Sequence, residues 1–198
     1  MEVKLLTSPE SLSDMECFAA LAALTCHANA ENEYVPHDVL GRIISKGHES
    51  ILEHITLTYS VKGLSRACLQ ELARHRHISL SVESTRHTLR KQLENEQWVE
   101  SLSVKLLPCQ RHLLYYLADL AKISDYSNDE LKYYLPEFWP TNLILTSNIR
   151  ELRHILKLRT SPAALNEFRT LAHSLFDAVP ESFRYLLEDC VYRENGHE

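Results

Sequence analysis

The chain of 198 residues is short of glycine, and its cysteines show no pairing pattern. The four glycines are too widely spaced to form G-x-G-x-x-G or a P-loop, which excludes both glycine-rich phosphate-binding loops. Any bound phosphate must therefore be held largely by side chains and ordinary turns. The five cysteines include no C-x-x-C pair and are odd in number, which argues against a disulfide framework or a zinc ribbon and for reduced, scattered thiols.

The sequence also lacks a long apolar run, a leader segment and an excess of basic residues. No stretch approaches the length of a membrane span, and the N-terminus lacks the charged start and apolar stretch of a signal peptide. Lys and Arg number 21 against 27 Asp and Glu, a net charge of −6, whereas a protein that binds a nucleic-acid polymer needs a basic face. These absences predict a cytoplasmic protein with neither a membrane nor a nucleic-acid polymer as partner.

Hydrophobic periodicity predicts one helix-rich domain over residues 1–198, of mixed α/β (α+β) class, around a small, mainly antiparallel sheet. Residues 78–88 are rich in hydroxyl side chains and are predicted as an ordered, extended loop, while residues 89–104 are too polar to place. The predicted strands are 55–61 and 143–145. The predicted helices are 12–29, 36–46, 65–73, 105–123, 127–134, 149–159, 162–178 and 181–192.

Four consecutive basic residues, RHRH at 74–77, follow one of these predicted helices. The helix dipole favours one or two cations at such a position but does not account for four. Because consecutive side chains point in different directions, the cluster suits an extended anion. The hydroxyl-rich segment 84–86 ends in an arginine and suits a phosphate through hydroxyl, backbone N–H and guanidinium groups. A solvated basic patch is the alternative interpretation of both segments.

Two further clusters contain histidine and carboxylate side chains. The segment GHESILEH at 47–54 does not have the spacing of a zinc-protease motif, so we expect a turn leading into a strand and no metal. The predicted helix 149–159 carries Arg150 and His154 on one face, with Asn148 as its cap. An amphipathic helix with a basic exposed side is the alternative for this segment.

Taken together, the three clusters resemble the flavin-dependent thymidylate synthases. That family's signature, Arg-His-Arg followed after seven residues by Ser, matches residues 74–76 and Ser84. The segment 47–54 precedes it, and Leu135-Pro136 and the pattern N-x-R-x-L-x-H-x-x-x-L-R at 148–159 follow in the family's order. The resemblance covers residues 47–88 and 135–169.

The resemblance implies a homotetramer whose active sites lie between subunits and hold FAD, dUMP, a folate and NADPH. NADPH reduces the FAD in such enzymes. A methylene group then moves from methylenetetrahydrofolate to C5 of dUMP, and a hydride from the reduced flavin completes the methyl group of dTMP. No covalent nucleophile from the protein is expected, because no base that would activate a serine is identified.

The resemblance also implies roles for individual residues. Arg159 is the implied catalytic residue, since a guanidinium at the uracil edge stays charged and favours ionisation at N3, which makes C5 a better nucleophile. The implied FAD-binding residues are Ser50, Glu53, Arg74, His75, Arg76, Asn148, Arg150 and His154. The implied dUMP-binding residues are Glu71, Arg74, Ser84, Thr85, Arg86 and Arg159.

The chain departs from the commonest family pattern at several positions. Val82 stands where many members have Glu, and Asn142 where many have Arg, so both changes bear on how the nucleotide is bound. The arginines most needed to balance the anions are present. The other departures are Ser81 for Asn, His87 for Tyr, Glu71 for Gln and Leu165 for Gln.

Three alternatives remain open from the sequence. A related flavin-dependent enzyme could methylate another pyrimidine nucleotide such as UMP. A paralogue could bind nucleotides without catalysis, although such a binder has less need of Arg159. A metal-dependent hydrolase built on His48, Glu53 and His54 is the third alternative.

Overall fold

The computed structural model of the protein describes residues 1–26, 34–103 and 106–192. The chain divides into two compact units. The first unit comprises Met1–Val82 with Pro140–Glu198, and the second comprises Glu83–Trp139. The expectation that residues 1–198 act as one domain stays a prediction.

The first unit contains a four-stranded antiparallel sheet in the order β1-β2-β4-β3. Alternate residues of the second strand are buried, which confirms the strand predicted from the period-two pattern. The predicted small antiparallel sheet in a helix-rich fold is therefore confirmed. The strands are β1 (Glu2–Leu5), β2 (Thr56–Ser65), β3 (Ile78–Val82) and β4 (Pro140–Asn148).

Within the described residues, helices make up most of the remaining chain. The α-helices are α1 (Pro9–Thr25), α2 (Pro36–Ser45), α3 (Arg66–Leu72), α4 (Thr85–Glu94), α5 (Glu96–Ser103), α6 (Pro108–Ile123), α7 (Asn128–Leu131), α8 (Ile149–Arg159) and α9 (Asn166–Asp177). The 3₁₀ helices are Glu49–His54, Lys132–Tyr134, Glu181–Leu186 and Glu188–Cys190. No helix in the described ranges is both long and apolar enough to cross a membrane.

Several boundaries differ from those predicted. The segment 78–88 is not an extended loop, because β3 pairs with β4 and α4 begins at Thr85. The serines of β3 alternate with apolar residues, and their hydroxyl groups obscured this period-two pattern. The segment 181–192 forms 3₁₀ turns instead of one helix. Residues 27–29 of the first predicted helix, and residues 104–105, lie outside the described residues.

Helix α3, which precedes the basic segment 74–77, and helix α8 each start at the end of a sheet strand. Ser65 ends β2 and caps α3, and its backbone N–H and hydroxyl both donate to Glu167. Asn148 ends β4 and caps α8 by accepting a hydrogen bond from the N–H of Glu151 at 2.8 Å. These caps satisfy otherwise unpaired amide groups and fix where each helix begins.

A tyrosine in the core of the first unit gives a test of this packing. Tyr59 is fully buried in β2, and its hydroxyl has no hydrogen-bond partner among the described residues. Burial raises the pKa of this hydroxyl far above its ordinary value. Because an unpaired buried hydroxyl costs about 1–3 kcal/mol, we expect Tyr59→Phe to leave the free energy of unfolding unchanged or raise it by about 1 kcal/mol.

Urea denaturation of wild type and variant measures this difference. Tyr59→Leu serves as the control and should be destabilised by more than 1 kcal/mol or so, because it leaves a cavity. A loss of stability in Tyr59→Phe as large as that of the leucine variant would show that the hydroxyl is satisfied in the folded protein.

The second unit has its own hydrophobic core, in which Trp139 and Trp98 pack with their ring centroids 4.9 Å apart. Arg90 of α4 donates to the backbone oxygens of Ala121, Ser124 and Tyr126, and thereby satisfies carbonyl groups at the C-terminal end of α6. Within the polar stretch 89–104, which showed no clear sequence pattern, residues 89–94 and 96–103 are helical. Their few apolar side chains, among them Leu89, Leu93 and Val99, form a narrow buried stripe that the polar residues cover.

Candidate functional site

The basic segment 74–77 and helix α8 line two cavities of the first unit. The first cavity has a volume of about 500 Å³ and the second about 480 Å³, a size typical of ligand sites. They share His77, Glu151 and His154, so they adjoin. The first is also lined by Glu49, Glu53, Asn148 and Arg150, and the second by Glu71, Arg74, His75, Arg76, Leu158 and Arg159.

A chain of hydrogen bonds and ion pairs runs along the wall of the second cavity. Glu151 Oε1 lies 3.1 Å from Nδ1 of His75, and Nε2 of His75 accepts a hydrogen bond from Nε of Arg159 at 3.3 Å. Nη1 of Arg159 donates to Glu71 at 3.3 Å, and the other oxygen of Glu71 lies 3.5 Å from Nη1 of Arg74. His75 and Arg159 are therefore held in this series between two carboxylates, Glu151 on one side and Glu71 on the other.

The surroundings of His75 favour a neutral imidazole with its proton on Nδ1. Burial lowers its pKa, and the charge of Arg159 acts in the same direction, while the hydrogen bond to Glu151 opposes them. Because Nε2 accepts from Arg159, the single ring proton lies on Nδ1 and is donated to Glu151. His75 is thus buried between two side chains, in contrast to its exposed neighbours Arg74 and Arg76.

An aromatic ring from α9 supports this arrangement. The guanidinium of Arg159 lies 4.6 Å from the centroid of the Phe168 ring, a favourable cation–π distance. The same ring packs edge-on against His75, with centroids 5.8 Å apart and planes at 81°. Phe168 therefore fixes both partners of the hydrogen bond between His75 and Arg159.

The wall of the first cavity contains an ion pair between exposed side chains. Arg150 of α8 donates to Glu53 of the 3₁₀ helix Glu49–His54 at 2.5 Å. The segment expected to be a turn leading into a strand is a 3₁₀ helix that leads into β2, and Ser50 is exposed on this helix. The side-chain oxygen of Asn148 caps α8, which makes its amino group the part that can meet a ligand.

A buried arginine that the sequence did not single out holds this cavity wall in place. Arg153 is only 1% exposed, and its guanidinium bonds both oxygens of Asp189 at 2.6 and 2.7 Å. It also donates to Glu49 at 3.0 and 3.1 Å and to the carbonyl of Leu186 at 2.6 Å. Helical spacing could have found it, because position 153 lies four residues after Ile149 and three before Leu156, both of which are buried.

The remaining predicted site residues lie in the second unit. Ser84 occupies the N-cap position of α4 without a capping hydrogen bond from its side chain, and Thr85 is the first helical residue. Arg86 is exposed and pairs with Asp129 at 2.9 Å. The role of these three residues in binding the dUMP phosphate stays a prediction.

Some departures from the family pattern have a place in the fold. Asn142 accepts a hydrogen bond from the N–H of Gly63 at 3.1 Å, where β2 and β4 change register. Gly63 has a φ of 72°, which favours glycine, so the amide of Asn142 stabilises this bulge. Glu71 faces the cations Arg74 and Arg159, and this removes the repulsion that a lone carboxylate would exert on an anionic ligand.

The side chains His48, Glu53 and His54 do not converge as a set of metal ligands within the described ranges. A different group, His75, Glu151 and His154, has ligand atoms within 4.8 Å of one another. Both ring nitrogens of His75 are already engaged, and one accepts from a guanidinium that repels a cation. Its geometry therefore favours a hydrogen-bond network over a metal.

The chain is similar in sequence to known enzymes. The family model described as thymidylate synthase complementing protein matches residues 9–183. A flavin-dependent thymidylate synthase of Campylobacter jejuni is 40% identical over 167 aligned residues, which cover 74% of this chain and 76% of the relative.

The chain also resembles solved structures. The structure of thymidylate synthase X from Helicobacter pylori with FAD and dUMP covers 98% of this chain and 100% of its own, at 34% identity and a TM-score of 0.85. A UMP/dUMP methylase from Streptomyces cacaoi bound with 5-Br dUMP is 22% identical with a TM-score of 0.68, covering 89% of this chain and 88% of its own, and shares the fold alone.

Proposed function

The chain belongs to the flavin-dependent thymidylate synthase family, and we propose that it converts dUMP to dTMP by reductive methylation at C5. In this proposal methylenetetrahydrofolate is the carbon donor and NADPH reduces the bound FAD. The observation that carries the proposal is the convergence of the Arg-His-Arg segment and the end of α8 on one cavity, where Arg159 forms part of the wall.

The residues around the two adjoining cavities fit FAD. Its pyrophosphate needs cations, and exposed guanidinium groups are present at positions 74, 76 and 150. Glu53, Asn148 and His154 line the first cavity and offer carboxylate, amide and imidazole groups. Ser50 offers a hydroxyl on the same 3₁₀ helix as Glu53, and His75 forms part of the wall of the second cavity. When bound and reduced by NADPH, the flavin would supply the hydride that completes the methyl group.

The protein's own contribution is electrostatic and positional. A guanidinium does not lose its proton near neutral pH, so Arg159 can face the uracil edge as a fixed cation and stabilise negative charge at N3. Glu71 forms ion pairs with both Arg159 and Arg74, and in this proposal Glu71 and Arg74 also contact dUMP. Ser84, Thr85 and Arg86 would bind the phosphate through hydroxyl, backbone and guanidinium groups.

We further propose a homotetramer with active sites between subunits, in the cytoplasm. Several large apolar or aromatic side chains of the second unit are well exposed, among them Tyr116 at 61%, Ile123 at 83% and Tyr133 at 83%. Exposed side chains of this kind suit burial against another copy of the chain. Light scattering of the purified protein measures the assembly.

Titration of the purified protein with FAD, followed by absorbance, is the first experiment. We expect the flavin bands to shift and a flavin to remain bound through gel filtration. The same sample, given NADPH, dUMP and methylenetetrahydrofolate, should then form dTMP, which chromatography detects.

Omission of each reactant in turn is the control. Flavin binding without dTMP formation from dUMP, but with methylation of UMP, would assign the chain to a related nucleotide methylase. Binding of nucleotide without turnover of either substrate would indicate a paralogue that binds without catalysis. An absence of flavin binding would refute the proposal at its central point.

A further inference from the structure

Glu151 has a buried carboxylate and is not among the residues assigned above to FAD or dUMP. It lies in the first turn of α8, and the residue is only 8% exposed. A buried charge is costly unless hydrogen bonds compensate it. Its carboxylate meets this need at Nδ1 of His75, 3.1 Å away.

This hydrogen bond determines what the other side of the imidazole can do. A carboxylate accepts hydrogen bonds and cannot donate one, so it holds the ring proton on Nδ1. Nε2 is then an acceptor, and it receives the Nε–H of Arg159 at 3.3 Å. With the proton on Nε2 instead, two N–H groups would face each other and the guanidinium would have to move.

The packing leaves little room for such a movement. Phe168 lies against the edge of His75 and against the face of the Arg159 guanidinium. Glu71 holds Nη1 of the same guanidinium from the other side. The orientation of Arg159 is therefore set by three neighbours. One of these contacts, the hydrogen bond that Arg159 donates to Nε2 of His75, requires the His75 tautomer that Glu151 holds.

We propose that Glu151 is a positioning residue for the reaction, which acts through His75 to align the guanidinium of Arg159 against the uracil ring of dUMP. This inference rests on the proposed function, because dUMP is the ligand that Arg159 meets. Glu151 itself need not touch the nucleotide. It acts by keeping Nε2 of His75 as an acceptor.

Glu151→Gln tests the role of the carboxylate at nearly constant size. An amide can either donate or accept, so the tautomer of His75 is no longer fixed. The probe is 5-fluoro-dUMP, whose ring fluorine makes N3 easier to ionise, titrated spectrophotometrically on the FAD-loaded enzyme. We expect the ratio of anionic to neutral bound nucleotide to fall by about tenfold. We expect kcat for dUMP to fall about 10- to 100-fold, the loss typical when a residue that orients a functional side chain is removed.

Two controls separate positioning from a general structural effect. Glu16→Gln removes another partly buried carboxylate, the one that accepts from Tyr185, and should change neither N3 ionisation nor kcat. In a double-mutant cycle, Glu151→Gln combined with His75→Gln should be about as slow as the slower single variant, because both act on one contact. Effects that multiply, or an unchanged N3 ionisation in Glu151→Gln, would overturn the inference.

The wild-type protein offers a second route if Glu151→Gln does not bind FAD. Nitrogen NMR of histidine-labelled enzyme reports which ring nitrogen of His75 carries the proton. The Nδ1–H form supports the inference and the Nε2–H form overturns it. A wild-type enzyme with the Nδ1–H form that makes no dTMP would refute the proposed function instead, so the two failures are distinguishable.

Discussion

Arg159→Ala should lower kcat/KM for dUMP by about 10²–10³-fold while FAD still binds. The guanidinium is the group we place beside N3 of the uracil, and removal of one such charge-stabilising donor typically costs this much. Its neighbours His75, Glu71 and Phe168 hold it from three sides, so its orientation is fixed before the nucleotide arrives. Steady-state formation of dTMP measures the loss, and the flavin spectrum shows that the variant is folded.

A lysine at the same position separates charge from geometry. Arg159→Lys keeps a cation but loses the planar guanidinium and the Nε contact to His75, so we expect it to recover roughly tenfold of the lost rate at most. Arg169→Ala is the matched control, because this arginine lies on α9 and bonds Asn166 at 2.8 Å. If Arg159→Ala kept more than about a tenth of the wild-type kcat/KM, the catalytic role assigned to Arg159 would be wrong.

The parts of the site that could be predicted from the sequence are those fixed by local rules. Asn148 is a favourable cap, the following residues have helical spacing, and α8 indeed starts after Asn148 and ends at Arg159. The alternation in β2 likewise confirmed a strand. Local pattern and final structure agree here because each element buries the face that its own sequence makes apolar.

What could not be predicted depends on contacts between distant parts of the chain. His75 and Glu151 are 76 residues apart, and no spacing rule shows that one fixes the tautomer of the other. The strand β3 is stabilised by pairing with β4, and its serines alone favour a loop. Tertiary pairing therefore decides such segments, whereas propensity alone is misleading.

The buried arginine of α8 illustrates the same limit and leads to the largest expected effect on stability. Arg153 joins α8 to the 3₁₀ helix that begins at Glu49 and to the C-terminal segment that contains Leu186 and Asp189. Burial by itself raises the pKa of the Asp189 carboxyl, but hydrogen bonds and charge from Arg153 outweigh it and hold this pKa below its ordinary value. For the Glu49 carboxyl, burial is likewise outweighed by Lys157 and Arg153, so that its pKa is also lowered.

We expect Arg153→Ala to lower the free energy of unfolding by about 3 kcal/mol at pH 7. Breaking a buried ion pair costs about 3–5 kcal/mol, and the lower end applies because the Asp189 side chain is 50% exposed. Urea denaturation at neutral pH measures the difference. Arg42→Ala is the matched control, because that arginine is exposed and its Nε donates to the carbonyl of Asp38, and it should change stability by no more than about 0.5 kcal/mol.

The pH dependence gives this prediction its sign. A carboxyl group whose pKa is lower in the folded protein than in the unfolded chain stabilises the fold above its unfolded pKa, and this contribution is lost as the pH falls through the folded pKa. The wild type should therefore lose stability on acidification below about pH 4, where Asp189 and Glu49 take up protons. Arg153→Ala has already lost their shared partner, so its stability should fall less over the same interval and the difference between the two proteins should narrow. An equal loss in both would show that Arg153 does not stabilise the carboxylate forms of Asp189 and Glu49.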